Sequence, residues 1–155
     1  QESSIFSDLS VENNLLGVVE LSATDSQEAS KIVTKLIDDF GLSKILNVKG
    51  RMLSGGQRRK VEIARTLISS PNLILLDEPF AGIDPIAVEE IKELLKEISK
   101  KDISILITDH NVRETLSLCD RAIILVDGNI IADGTEKQLK ENEYVGQKYF
   151  GKMFS

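Results

Sequence analysis

Three short apolar runs constrain this chain most: Leu73-Ile74-Leu75-Leu76, Ile103-Ser104-Ile105-Leu106-Ile107 and Ala122-Ile123-Ile124-Leu125-Val126. The first is too compact for an amphipathic helix and reads as a strand buried on both faces, and the other two read as the strands that follow. Helical patterns separate them. Ile91, Leu94, Leu95 and Ile98 form a stripe between the first two runs, behind an Asp84 N-cap and Pro85 at the first helical position. Asn111 to Cys119 predicts a short helix before the third run. Asp127-Gly128 turns that run into a hairpin with Ile130-Ile131. Thr135-Glu136-Lys137-Gln138 reads as a capping box opening the last helices. Strand, helix, strand, helix, strand is the rhythm of an α/β sheet.

The first third predicts helices without strands. Ser10, followed by Glu12 and Asn13, marks a helix start, and Leu15, Leu16, Val18 and Val19 supply apolar positions. A polar stretch, Ser22 to Gln27, interrupts the pattern. Ile32, Val33, Leu36, Ile37 and Phe40 then line one face of a second helix, with Gly41 as its C-terminal cap.

Composition narrows the function. Apolar residues make up 41% and charged residues 28% of 155, the balance of a globular chain. A net charge of −6 disfavours a nucleic-acid coat, which needs a basic face. No apolar run approaches the ~20 residues that cross a bilayer. A single cysteine, Cys119, excludes an internal disulfide and a four-cysteine zinc site, and reads as a small buried helix residue. The expectation is a soluble, intracellular protein. Gln1-Glu2-Ser3-Ser4 has neither the basic nor the apolar region of a signal peptide, and reads as the middle of a protein.

Three places could carry chemistry. Leu53-Ser54-Gly55-Gly56-Gln57 precedes a helical face of Val61, Ile63, Ala64, Leu67 and Ile68. Ser54 and Gln57 fit a capping box, and the same helix start, bare of side chains at both glycines, also suits a phosphate. Leu73 to Leu76 runs into Asp77 and Glu78, placing two carboxylates where open α/β sheets bind ligands. Asp77 could hold Mg²⁺ through water, and Glu78 could act as a general base on water. The plainer reading is an acidic strand end before Pro79. His110, the only histidine, follows the second run and could bond a terminal phosphate or orient water.

Taken in order and spacing, these segments resemble the second half of an ABC-type nucleotide-binding domain. In that resemblance Leu53 to Gln57 matches the signature, Leu73 to Asp77 the Walker B strand, and Glu78 the catalytic glutamate. Ala81-Gly82-Ile83-Asp84 matches the D-loop, His110 the switch histidine, and Gln1 the Q-loop glutamine. Within the family, Gln1 to Phe6, Asp77 to Ile86 and Thr108 to Thr115 resemble the ATPase subunits of lipopolysaccharide-export transporters. Branched-chain amino-acid importer ATPases are similar relatives. Ser7 and Gln57 depart from the export pattern, which has a basic residue and a glutamate there.

The resemblance implies a P-loop NTPase-like α/β fold, with a Q-loop and helical signature subdomain over 1–70. Residues 71–155 would form the C-terminal part of the α/β core. It implies an ATPase that energises a membrane transporter, with ATP and Mg²⁺ as cofactors. Two copies would pack head-to-tail, Ser54, Gly55, Gly56 and Gln57 of one capping the γ-phosphate on the other. Asp77 and Gln1 would place Mg²⁺, Glu78 would activate water, His110 would contact the γ-phosphate, and Asp84 would link the two sites. Transmembrane subunits would dock near Phe6, which reads equally as core, on the cytoplasmic face of the inner membrane.

No G-x-x-x-x-G-K-[ST] loop occurs, and the family places that loop before Gln1. The expectation is a C-terminal portion that hydrolyses no ATP by itself. Other readings are an ATPase of DNA repair or translation, which would bring heptads or a second signature, and a non-catalytic docking module.

Overall fold

The computed structural model describes residues 4–21, 26–142 and 145. They divide into two compact units, one running to Thr108 and one starting at Asp109.

The first unit opens with α1 (Val11–Leu21) and α2 (Ser26–Asp39). Ser10 caps α1: the Asn13 amide donates to its hydroxyl oxygen at 3.1 Å. Val11, Asn14 and Leu15 face inward, whereas Leu16 is exposed and Val18 and Val19 are half-buried. The expected apolar side is thus rotated, because the buried positions follow i, i+3 and i+4 from Val11. At the end of α2, Gly41 adopts φ 62°, its amide donates to Asp38, and the Leu42 amide donates to Ile37. That pair of bonds is a Schellman cap, and glycine carries its left-handed residue without a Cβ penalty.

Two short 3₁₀ turns, Ser43–Ile45 and Gly50–Met52, lead to α3 (Gly55–Leu67). α1 packs on α2 and α3, and α3 on α4 (Pro85–Ser99). Val61, Ile63, Ala64 and Ile68 are buried along α3, as are Ile91, Leu95 and Ile98 along α4. Strand β1 (Leu73–Asp77) pairs in parallel with β2 (Ser104–Thr108), Leu73 opposite Ser104 and Asp77 opposite Thr108. α4 joins them as the crossover that a parallel pair requires.

The expectation that β1 is buried on both faces is not met. Ile74 is 1% exposed but its neighbour Leu75 is 67% exposed, and Leu75 lies opposite Leu106, itself 56% exposed. Side chains alternate across a strand, so one helical layer covers only every second residue. α4 packs on β2, while Leu73, Leu75 and Leu106 each stay more than half exposed.

The second unit holds α5 (Val112–Leu118), β3 (Ala122–Val126), β4 (Asn129–Gly134) and α6 (Glu136–Glu141). β3 and β4 form the expected hairpin, with Asp127 at φ 48° and Gly128 at φ 76°. Two positive φ values in a two-residue loop match the right-handed twist of the strands. Thr135 and Gln138 form the expected capping box. Leu116, Leu139 and Val145 make a small core with Val112, Ala122, Ile124 and Ala132 against it. Cys119 is half-buried at the C-cap of α5 rather than inside the helix. Burial, and then the adjacent Asp120 charge, push its thiol pKa up.

Candidate functional site

The sequence from Leu53 to Gln57 forms the capping box read from it. Leu53 is buried, anchoring the chain, and Ser54 takes an extended backbone at the N-cap of α3. The Gln57 amide donates to the Ser54 hydroxyl oxygen at 3.3 Å, and the Ser54 amide donates to Gln57 Oε1 at 3.0 Å. The amides of Gly55 and Gly56 fall in the first turn, where no carbonyl one turn earlier can accept them. Ser54 and Gly55 are exposed, so this end of the helix is open to a ligand.

The glycines also serve packing. A Cβ on Gly55 would lie 3.0 Å from Ile83 Cγ2 and 3.1 Å from the Gly82 carbonyl oxygen. A Cβ on Gly56 would lie 2.5 Å from Ala87 Cβ. Two residues without side chains therefore let α3 seat directly on the Gly82–Ala87 segment. Gly82 turns that segment with φ 70°, and Asp84 caps α4, its carboxylate accepting from the Ala87 amide at 3.0 Å.

The acid pair sits at the carboxyl end of β1. Asp77 is exposed, and the Thr108 hydroxyl donates to its carboxylate. Glu78 is half-buried and has φ 45°, a left-handed conformation that costs a non-glycine residue about 1 kcal/mol or more. Its amide donates to the Thr108 carbonyl at 2.7 Å, and its own carbonyl accepts from the Ala81 amide at 3.2 Å. The same carbonyl accepts from Arg59 Nη2 at 3.2 Å. Arg59 thus links α3 to the strand end.

Among the described residues, no group of three or more His, Cys, Asp or Glu side chains gathers as a metal site. One carboxylate nonetheless suits Mg²⁺, which keeps several waters and takes other ligands from substrate phosphates. Asp77, exposed at a strand end, fits that demand. Gln1, the other residue expected at the ion, lies outside the described residues.

His110 belongs to the second unit. It is exposed, with Nδ1 4.0 Å from the Asp109 carboxylate. The Asp109 side chain is only 1% exposed, and its carboxylate accepts from the Asn111 amide at 2.7 Å. Within the first unit, then, Ser54, Gly55, Gly56, Gln57, Asp77, Glu78 and Asp84 stand on one packed body.

Phe6 is not core: the residue is 52% exposed. Its backbone is nevertheless held. The buried Asn14 side chain accepts from the Phe6 amide at 2.7 Å and donates to the Phe6 carbonyl at 3.0 Å. Asn14 also donates to the carbonyls of Leu9 and Ser10. The Arg65 guanidinium lies 5.2 Å from the Phe6 ring centroid and donates to the Ser4 carbonyl. Burial pulls the Arg65 pKa below its ordinary value, opposed by the Glu62 charge.

Arg59, Arg65 and Asn14 were not legible as site residues. A polar residue three positions after Val11 on a buried face was the available signal for Asn14. For Arg59 it was Glu62, three residues on, which pairs with it at 2.9 Å.

The ABC transporter family model matches residues 1–81, a stretch containing Ser54 to Gln57, Asp77 and Glu78. The lipopolysaccharide export system ATP-binding protein LptB of Haemophilus influenzae is 48% identical over 99% of this chain and 64% of its own length. LptB of Escherichia coli K12 is 43% identical, with the same coverage. The chain therefore spans 64% of the length of these curated relatives.

Solved structures agree. MJ1267, an ATP-binding cassette of an ABC transporter in its ADP conformation, matches with a TM-score of 0.78 and 28% identity. The match covers 94% of this chain and 64% of that one. CbiO1 of Clostridium perfringens, part of the transporter complex cbiONQ, matches with a TM-score of 0.79 and 31% identity. That match covers 95% of this chain and 59% of CbiO1. With the family model over more than half of its residues and the cassette fold throughout, the chain belongs to the ABC transporter family.

Proposed function

We propose that this chain is part of an ATP-hydrolysing subunit that energises a membrane transporter, with lipopolysaccharide export as the process served. The observation that carries the reading is the packing of α3 on the Gly82–Ala87 segment beside β1. An anion-capping helix end and a pair of strand-end carboxylates thereby share one rigid body. The 48% and 43% identity to LptB proteins supports the choice of cargo.

In this reading residues 1–70 are the Q-loop and helical signature subdomain, and residues 71–155 belong to the α/β core. The packed side of Gly55 and Gly56 is filled by Gly82, Ile83 and Ala87, so a ligand approaches from the exposed side of Ser54 and Gly55. That geometry supports phosphate capping in trans. Ser54, Gly55, Gly56 and Gln57 of one copy would close on the γ-phosphate held by the P-loop of a second, head-to-tail copy. Helix-start amides and the Ser54 hydroxyl stabilise the negative charge there.

Asp77 and Gln1 would hold Mg²⁺, which when bound neutralises charge on the β- and γ-phosphates. Glu78 takes a proton from the attacking water as general base. His110 hydrogen-bonds the γ-phosphate, and Asp84 faces the second copy beside its role as the α4 cap. Transmembrane subunits would dock at Phe6, which is exposed while Asn14 fixes its backbone. The subunit would work at the cytoplasmic face of the inner membrane, and no described helix is long and apolar enough to cross a bilayer.

The test uses the full-length subunit. Glu78→Gln is expected to bind ATP normally and to lose hydrolysis by about 10²–10⁴-fold. Wild-type turnover in that variant removes Glu78 as the base.

A further inference from the structure

We infer that Arg59 is a positioning residue for Glu78, holding the strand-end peptide on which the base is mounted and tying it to the helix that carries Ser54. The inference rests on reading Glu78 as the general base. Glu78 leaves β1 with φ 45°, a conformation that a side-chain-bearing residue keeps only when its surroundings over-determine it. Hydrogen bonds from separate segments do so here. The Thr108 carbonyl takes the Glu78 amide proton, and the Glu78 carbonyl accepts from the Ala81 amide. Both of these come from the chain next to the strand end. Arg59 supplies another, from Nη2 to the same carbonyl at 3.2 Å, and it reaches the strand end from α3.

The donor is itself fixed. Arg59 Nη1 pairs with Glu62 Oε2 at 2.9 Å, and the two side chains are only 26% and 13% exposed. A planar guanidinium held at one nitrogen presents its other nitrogen in a set direction. A lysine has one nitrogen at the end of a flexible stem and cannot reproduce that fork. Ser54 lies five residues earlier on the same rigid helix start, so a displacement of the signature moves Arg59 and the Glu78 carbonyl with it. A base does its work only when its carboxylate is within hydrogen-bond reach of water in the right orientation. Arg59 therefore acts on the hydrolytic step and not on the P-loop contacts that hold the nucleotide's phosphates.

The experiment is a double-mutant cycle in the full-length subunit, read as kcat and KM for ATP with melting temperature as a folding control. Arg59→Ala is expected to lower kcat about tenfold with KM held within about twofold. Arg59→Lys is expected to recover part of that loss. In the Glu78→Gln background, single-turnover hydrolysis should fall no further on adding Arg59→Ala, because the residue acts through Glu78.

An unchanged kcat, a KM that rises in step with any loss, or the same tenfold loss in the Glu78→Gln background overturns the inference. Should Arg59→Ala not fold, Arg59→Lys carries the same test, with a severalfold loss of kcat supporting the inference and a wild-type kcat rejecting it. The failure of the base assignment is distinct: Glu78→Gln alone would then turn over normally.

Discussion

Gly56 and Ala87 meet so closely that a methyl group on Gly56 would lie 2.5 Å from the Ala87 Cβ. The contact seats α3 on α4, and the start of α4 is the segment that also carries Asp84. Gly56→Ala must push the helices apart or distort one of them. The expected result is a loss of about 1–3 kcal/mol of stability in urea unfolding, after overpacking outweighs alanine's better helix propensity. A variant as stable as the parent chain, or more stable, contradicts this packing.

Asn14 gives a second measurement. It is fully buried and satisfies both the amide and the carbonyl of Phe6. Asn14→Leu keeps the branched shape but leaves those backbone groups to find new partners. The expected cost is about 2–3 kcal/mol in urea unfolding. The amide of Phe6 should also lose protection from hydrogen exchange. Parent-like stability would mean that water replaces the side chain at no cost.

Asp133 tests the second unit. Arg121 reaches it with two nitrogens, Nε at 2.7 Å from Oδ1 and Nη2 to Oδ2. Hydrogen bonding to Arg121 holds the Asp133 carboxyl below its ordinary pKa. The pair's contribution is therefore present above the ordinary aspartate range and is lost as pH falls through the lowered value. Carboxyl-carbon NMR should show Asp133 titrating at lower pH than an unpaired aspartate. Arg121→Ala should return it to the ordinary range; no change in that variant would reject the pairing in solution.

Cys119 provides a chemical probe. Its thiol pKa is raised, first by burial and then by Asp120. Only the thiolate reacts, so alkylation by iodoacetamide at neutral pH should be slower than that of a free thiol. The rate should climb as pH passes above the ordinary thiol range. Alkylation as fast as that of free glutathione would show that the site is open and unshifted.

Much of the architecture was legible because it is written in local chemistry. Asp84 with Pro85, Ser54 with Gln57, Thr135 with Gln138, Gly41 and Asp127-Gly128 each settle a helix end or turn through neighbouring backbone groups. Such interactions need only a few residues, so spacing along the chain reveals them. The strand ends followed for the same reason: the second run shifts by one residue, from 103–107 to Ser104–Thr108.

Burial was less legible. Leu16 has the hydropathy of a core residue but is exposed, while Asn14, which has not, is fully buried. Leu75 is as apolar as Leu76 and lies on the open face of β1. Hydropathy states what a side chain tolerates. Which face receives a packing layer is decided by elements distant in sequence.

The sequence by itself determined the caps, the turns, the order of helices and strands, and the acids at the end of β1, because each depends on residues a few positions apart. Tertiary structure alone decided that Gly55 and Gly56 accommodate Gly82, Ile83 and Ala87, that Asn14 braces Phe6, and that Arg59 reaches the carbonyl of Glu78. Those contacts join segments with no periodic relation in the chain. They form because close packing brings the segments together, and buried backbone groups then require partners wherever the fold supplies them.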